Sequence, residues 1–484
     1  MYDISLNSSY SSGFDLENFI WPVPTEAYDF ITPSIINGIL MLTNKHANSD
    51  DIRAILISKI FDISSDLSRI ARVSTDYLYF KKSDKLLEYN AELHPILHFI
   101  ISYDNNKVKN VNFSVHKKIT LKNNIVRTLN QLNIKVSRYK HSKSTRLDSF
   151  NANPLLNDFV RNSDKKIVDI RLTEFASSSL RSNLPKIFHD LAEIYCDFFL
   201  NLLKKNLGLN IEVESAVKIL AINSIFDHFN QSFDLFGHIK SSGIVSHTSE
   251  VLISGTPKYS GRLLSYLAKK KGKKIWRFGH GGDRAFFDDY NFSLADLPFC
   301  DKYYGHSIGE LCNLKNRFEE NRMANVVNSI EFDWQASSKH LNAFFNSNKC
   351  SSIKSSKTIM YISAAYLSEE LRTFQERSSD AQYLEWQIWL LKKLKSLGYK
   401  VISKMHPKGP LLEHNFLKPF SEGVYNDYFA AENYDVSCFL FDFGGSAFYE
   451  ALSSKKGVVY VDMGMRTIDK NSEKHLNQRC EIVK

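Results

Sequence analysis

In the second half of the chain, strand-length apolar runs alternate with segments of helical periodicity, and that alternation leaves few folds open. Glu250–Ser254 and Lys274–Phe278 read as strands around a helix over Ser260–Lys271, whose Leu263, Leu264 and Leu267 share one face. The same grammar returns in Thr358–Ser363, Tyr399–Lys404, Val436–Phe441 and Gly457–Asp462 as strands, with helices over Asp380–Leu397 and Ser446–Ser453. Leu384, Ile388, Leu391 and Leu394 recur at helical spacing, and Gly398 stops that helix. Runs as apolar as Val436–Phe441 belong to strands covered on both faces, so the sheets are parallel. The polar stretch Ser337–Lys357 separates the two series and reads as a linker.

The expected architecture is therefore α/β: two Rossmann-like domains facing a central cleft, with an extended N-terminal half. Residues 1–340 form an N-terminal unit with a Rossmann-like core and extra helices, and residues 350–484 a C-terminal Rossmann-like unit. Upstream of residue 240 the signal is weaker, with helical patterns around Ile52–Ile70 and Leu184–Lys205.

Composition removes whole classes of protein. The chain has 484 residues, 43% hydrophobic and 24% charged, which excludes a disordered or collagen-like chain and a small disulfide scaffold. Six cysteines lie far apart with no CxxC pair, so neither a zinc knuckle nor a redox motif is visible and reduced thiols are expected. The N-terminus lacks the pattern of a signal peptide, and Ile35–Leu42 and Ile96–Ile101 are too short to span a bilayer. The expected location is the cytoplasm. A formal charge of +9 suits an acidic substrate, an anionic membrane face or nucleic acid. Lys269–Lys274 reads either as a lipid contact or as a solvated helix end.

Open α/β sheets bind ligands at the carboxyl ends of their strands, and four segments rich in chemistry stand there. In Lys404-Met-His-Pro-Lys408, Pro407 keeps His406 extended, so Lys404 and His406 project to one side. A cation beside an imidazole suits a phosphate leaving group; the alternative is a turn with a chance histidine. In Phe441-Asp-Phe-Gly-Gly-Ser-Ala-Phe-Tyr-Glu450, Gly444 and Gly445 admit an anion close to the backbone. Ser446 there can cap a helix whose positive end favours phosphate. This motif is neither a Walker loop nor GxGxxG, and a purely structural cap is the other reading.

The densest cluster is Trp276-Arg-Phe-Gly-His-Gly-Gly-Asp-Arg284, where glycines flank His280 and precede Asp283 and Arg284. Such a loop brings a base, a carboxylate and a guanidinium to a substrate, or it is a glycine turn with a surface salt bridge. Lys302-Tyr-Tyr-Gly-His-Ser307 can line the same cleft, with His306 in a binding or a structural role.

Lys404-Met-His-Pro, followed downstream by Gly444-Gly-Ser446 and Glu450-Ala-Leu, resembles the His-Pro and serine motifs of bacterial glycosyltransferases that use CMP-activated acidic sugars on two Rossmann-like domains (the GT-B type). Gly279-His-Gly-Gly-Asp-Arg284 most resembles the retaining transferases of β-Kdo (3-deoxy-manno-octulosonic acid) in lipopolysaccharide and capsule polysaccharide biosynthesis. The resemblance covers mainly residues 250–465. It implies an enzyme that moves Kdo from CMP-Kdo to an oligosaccharide or lipid-linked glycan, with peripheral contact at the inner membrane. It implies Asp283 and His280 as catalytic residues, Arg284, Gly281 and Gly282 near the sugar, and Lys404, His406, Lys408, Gly445 and Ser446 around the CMP phosphate. Glu450 would bind the ribose or serve as a helix acid.

The chain departs from that pattern in reading Gly-Ser-Ala where two adjacent hydroxyl residues are usual. It also ends at Lys484 soon after a strand, which leads us to expect a truncated C-terminal unit or one module of a longer protein. No metal or other cofactor is expected, because a leaving phosphate monoester can be met by Lys404, His406 and a helix N-terminus. Asp288-Asp289 reads as a solvated loop.

With Asp283 as nucleophile the reaction retains configuration through a glycosyl adduct; with Asp283 or His280 as base it inverts. Two alternatives share the architecture: an inverting transferase of another CMP-nonulosonate (sialic or pseudaminic type), and a CDP-polyol phosphotransferase. A nucleic-acid binder is not expected, since the basic residues are dispersed and no aromatic-interleaved basic strand is present. A scaffold that kept the cleft and lost the chemistry is the remaining reading.

Overall fold

The computed structural model describes residues 2–3, 21–28, 30–83, 87–88, 91, 94–104, 146–150, 155–156, 159, 166–170, 184–242, 250–254, 259–279, 286–287, 295–306, 310–312, 314–315, 330–334, 357–364, 366, 380–406, 416–425, 427, 429–464 and 467–484. Two short strands, β1 (Tyr2–Asp3) and β2 (Leu87–Glu88), pair in parallel. The remaining strands form two six-stranded sheets. The first contains β3 (Arg146–Phe150), β4 (Lys166–Ile170), β5 (Glu250–Ser254), β6 (Lys274–Phe278), β7 (Lys302–Gly305) and β8 (Glu331–Trp334) in the order β4-β3-β5-β6-β7-β8. The second contains β9 (Thr358–Ile362), β10 (Lys400–Lys404), β11 (Gly423–Tyr425), β12 (Cys438–Phe441), β13 (Gly457–Val461) and β14 (Glu481–Val483) in the order β11-β10-β9-β12-β13-β14. Every strand pair in both sheets is parallel.

Counted from its own first strand, the second sheet runs 3-2-1-4-5-6, the Rossmann order, and the first runs 2-1-3-4-5-6, the flavodoxin-like order extended by a strand. Each order contains a point where successive connections leave in opposite directions, which opens a crevice at the carboxyl edge. The expected linker lies outside the described residues except for Lys357.

The helices are α1 (Ile31–His46), α2 (Asp50–Lys82), α3 (Pro95–Asp104), α4 (Lys186–Leu207), α5 (Ile211–Ser242), α6 (Tyr259–Lys270), α7 (Asp380–Ser396), α8 (Ser446–Ser453) and α9 (Lys470–Leu476). Helix α7 stops where Gly398 takes φ +83, with the Gly398 and Tyr399 N–H groups closing back on Lys395 and Leu394 carbonyls. Helices α1 to α5 form a layer that reaches the first sheet through α6, which packs on α2 and α5 as well as on β5 and β6. Phe188, Phe199 and Phe229 are fully buried there, each contributing about 2–3 kcal/mol by removal from water.

Helix α2 runs well past the expected Ile52–Ile70, from a Ser49 cap to Lys82. Its extra length carries buried polar residues that break an apolar pattern: Ser74 and Thr75 donate back to the Ile70 and Ala71 carbonyls, and Asp76 accepts from Tyr28. Charges are buried within the expected span as well. Asp66 accepts from His228 Nε2 at 2.8 Å and Ser224 Oγ at 2.9 Å, with Arg69 at 3.3 Å. Lys59 donates to Gln231 at 2.9 Å and lies over the Tyr259 ring.

Two fully buried arginines connect the layers. Arg277 on β6 donates to Ser265 Oγ (2.8 Å) and the Gly261 carbonyl (3.3 Å) of α6, and burial lowers its pKa. Arg262 on α6 donates through Nε (2.8 Å) and a terminal nitrogen (2.6 Å) to the Ser58 carbonyl of α2. Removing a buried charged donor strands its acceptor. Arg262→Ala is therefore expected to cost about 3 kcal/mol in chemical denaturation, whereas Arg53→Ala, from an exposed pair with Asp50, should stay within about 0.5 kcal/mol.

Candidate functional site

The crevice of the second sheet lies between β9 and β12, whose strand ends are Ile362 and Phe441. Beyond β9 the chain turns through Ser363 and Ala364; beyond β12 it turns through Asp442, Phe443, Gly444 and Gly445 into α8. Gly445 is the N-cap of α8, in an extended conformation, and its carbonyl accepts from the Phe448 and Tyr449 N–H groups. The Ser446 and Ala447 N–H groups open the helix and have no partner within it, so they form its positive end. His406 leaves the same edge after β10, on the other side of β9. Neighbouring strands stand about 4.8 Å apart, which separates the ends of β10 and β12 by about 10 Å.

A directed hydrogen-bond network holds this edge. Asp442 is buried and accepts from the Tyr361 hydroxyl and from Tyr383 at 2.8 Å. Tyr361 in turn accepts from Gln387 Nε2 at 2.6 Å, Tyr383 accepts from the Ala364 N–H at 2.7 Å, and Tyr366 donates to Gln387. Every donor points towards the carboxylate, so the two turns that line the crevice are fixed to one acceptor. Burial, reinforced by Asp442, pushes the Tyr361 and Tyr383 hydroxyls well above the ordinary tyrosine pKa, and they stay neutral donors.

The first sheet reaches this edge through Phe286 and Phe287. Phe287 forms an antiparallel bridge with Ile468, and the Phe286 carbonyl accepts from Asp469 N–H at 2.9 Å. The Phe286 ring packs edge-on against Phe448 of α8 at 5.4 Å and beside Tyr449 at 5.9 Å. A Cβ on Gly444 would stand 2.5 Å from the Phe287 ring, so this glycine is needed where the two units touch. Its smallness serves that contact.

At the end of β7, His306 donates from Nε2 to the Gly279 carbonyl at 3.3 Å, and its ring faces Tyr449 at 6.4 Å. Its own N–H donates to Glu310 at 2.7 Å, and buried Glu310 also accepts from Tyr303 at 3.0 Å. Gly279 fits tightly here, since a Cβ would meet Glu310 at 2.8 Å and Tyr303 at 2.9 Å. Both ends of the glycine-rich loop are therefore pinned, one by His306 and the other on α8.

The loop itself, with His280, Gly281, Gly282, Asp283 and Arg284, lies outside the described residues, as does Lys408. Of the others, His406 and Gly445 stand at the carboxyl edge. Ser446 is the first residue of α8 and not its cap, because the turn ends one residue earlier. Lys404 does not project with His406: it is buried, donates to the Asp427 carbonyl, and pairs with the Asp427 carboxylate at 3.3 Å. Against the upward push of desolvation, Tyr434 and Lys404 hold Asp427 below the usual carboxylate pKa. Glu450 accepts from the Ala431 N–H at 3.0 Å and so ties α8 to the turn before β12. Asp442 stands inside the Phe441–Glu450 segment but nothing in the sequence gives it a role there, and its tyrosines and Phe287 carry no motif.

Among the described residues, no group of three histidine, cysteine or carboxylate side chains is arranged to hold a metal ion, and no helix is long and apolar enough to cross a membrane. No family model and no curated protein matches the sequence. Among solved structures, the chain is similar to UDP-N-acetylglucosamine 2-epimerase from Rickettsia bellii at 12% identity and TM-score 0.35, over 67% of this chain and 80% of that one. It is also similar to Os79 from O. sativa, solved with UDP and deoxynivalenol-3-glucoside, at 9% identity and TM-score 0.29, over 72% of this chain and 88% of that one. At TM-scores this low neither likeness carries weight, and the architecture rests on strand order and contacts. Those define an α/β protein of two Rossmann-like units meeting at their carboxyl edges, as in the GT-B type, with an extended helical N-terminal half.

The junction is testable. Gly444→Ala should destabilise the protein by about 2 kcal/mol through overpacking, and Phe287→Ala in the same chain should recover part of that loss. Thermal unfolding of the single and double variants measures the coupling; strict additivity would contradict the contact.

Proposed function

We propose that the chain is a nucleotide-sugar transferase that moves Kdo from CMP-Kdo to a polysaccharide or glycolipid acceptor with retention of configuration. What supports the reading is the crevice of the Rossmann-ordered sheet, where the N-terminus of α8 follows β12 and His406 follows β10, one on either side of β9 at the same carboxyl edge. In this reading the CMP phosphate sits on the α8 N-terminus, and His406 donates to it as charge grows on the leaving oxygen. Lys404 acts indirectly, by securing the β10 exit through Asp427.

The glycine-rich loop supplies the sugar side. The Asp283 carboxylate attacks the anomeric carbon while the bond to phosphate breaks and CMP departs; an acceptor hydroxyl then displaces the carboxylate and gives its proton to His280. Arg284 binds the carboxylate of the sugar. No metal is required for this sequence of steps. An inverting transfer of another CMP-nonulosonate, with Asp283 or His280 as the base that deprotonates the acceptor, is the second reading.

Incubation with CMP-Kdo and with CMP-sialic acid separates the donors. CMP release is expected from CMP-Kdo, with a mass increase of the intact protein that Asp283→Ala abolishes; release from the sialic donor alone would overturn the assignment. His406→Ala is expected to lower kcat about a hundredfold with little change in KM, the signature of a contact made as the leaving group develops charge.

A further inference from the structure

The outer face of α7 carries an exposed apolar stripe that neither the crevice nor the helical layer uses. Trp389 is 60% exposed and Leu397, just past the helix end, 59% exposed. They lie eight residues apart, about 12 Å along the axis direction, with Lys393 exposed midway between them. Tyr399 adds a further ring, 40% exposed. Lys392, Lys393, Lys395 and Lys400 surround these side chains, and no Asp or Glu occurs between Glu385 and Glu413. Lys395 pairs with Glu422 at 3.9 Å.

We propose that this face docks on an anionic lipid bilayer. Trp389 stands on the helix, and Leu397 and Tyr399 follow directly after it, all three exposed. Tryptophan and tyrosine favour the headgroup level, where the ring is half solvated, and lysine stems reach along an apolar surface while their ammonium groups remain among lipid phosphates. The charge complements an anionic leaflet. The other basic run, Lys269–Lys274, is a poorer candidate: it exposes no large apolar side chain, Lys269 pairs with Asp301 at 2.8 Å, and Lys270 with Asp51 at 2.6 Å.

The position suits a peripheral enzyme. Leu397 and Tyr399 lie at the amino edge of the second sheet, immediately before β10, whereas His406 and the α8 N-terminus lie at the carboxyl edge. Docking through α7 therefore leaves the crevice open. The inference does not depend on which sugar nucleotide, if any, the crevice takes.

Co-sedimentation of the full chain with phosphatidylcholine vesicles, with and without about 30 mol % phosphatidylglycerol, tests it. Binding is expected only to the anionic vesicles, with a blue shift of tryptophan emission and loss at high salt. Trp389→Ala with Leu397→Ser, and separately Lys393→Glu with Lys400→Glu, should each weaken partitioning about tenfold without moving the unfolding temperature, because all four side chains are exposed. No binding, equal binding to neutral vesicles, or full binding by both variants would overturn the proposal. The first of these outcomes would instead point to an acidic protein as the partner.

Discussion

The contact between the Phe287 ring and the bare Cα of Gly444 is the constraint on which the site depends. A parallel sheet presents its ligand-binding edge to solvent, and two such sheets form one site only if something holds those edges together. Here a short segment after β6 crosses to the second unit, bridges to Ile468 and stacks Phe286 on the first turns of α8. Any larger residue at 444 would meet the buried Phe287 ring and force it to shift. His306 holds Gly279 at the end of β6, so the residues just before and just after the glycine-rich segment are held by different units.

Behind each edge lies a buried polar framework that keeps it stiff. In the second unit, three tyrosines and a glutamine converge on Asp442 and lock the turns beyond β9 and β12. In the first, Arg277 and Arg262 hand the position of β6 through α6 to α2, where Asp66, His228 and Lys59 continue the polar chain. Buried charges of this kind are costly unless every partner is present.

How much of this was legible in the residues depended on distance along the chain. The strands buried on both faces were plain because their apolar runs are continuous: β5, β6 and α8 fall where the pattern put them, and β9, β10, β12 and β13 differ by a residue or two at their ends. Strands β3 and β4 were not, because Arg146-Leu-Asp-Ser-Phe150 and Lys166-Ile-Val-Asp-Ile170 mix charge into short runs. Helix α2 runs past the apolar pattern because Ser74, Thr75 and Asp76 look like solvent-facing residues until their buried partners are known. The same holds for the site. Gly445, Ser446 and His406 could be placed at strand ends from local turn chemistry, whereas the capture of Lys404 by Asp427, the hold of Glu450 on Ala431 and the fit of Phe287 against Gly444 arise from residues brought together only by the fold.

The central claim is that ligand binding occurs in the crevice between β9 and β12 where the two units meet. Hydrogen exchange followed by mass spectrometry, with and without CMP, tests this directly, because amide protection reports which backbone groups a ligand orders. The account predicts that CMP slows exchange at the start of α8 and in the turn after β9, and leaves α1 to α5 unchanged. Protection confined to the helical layer, or none at the α8 N-terminus under saturating nucleotide, would contradict it.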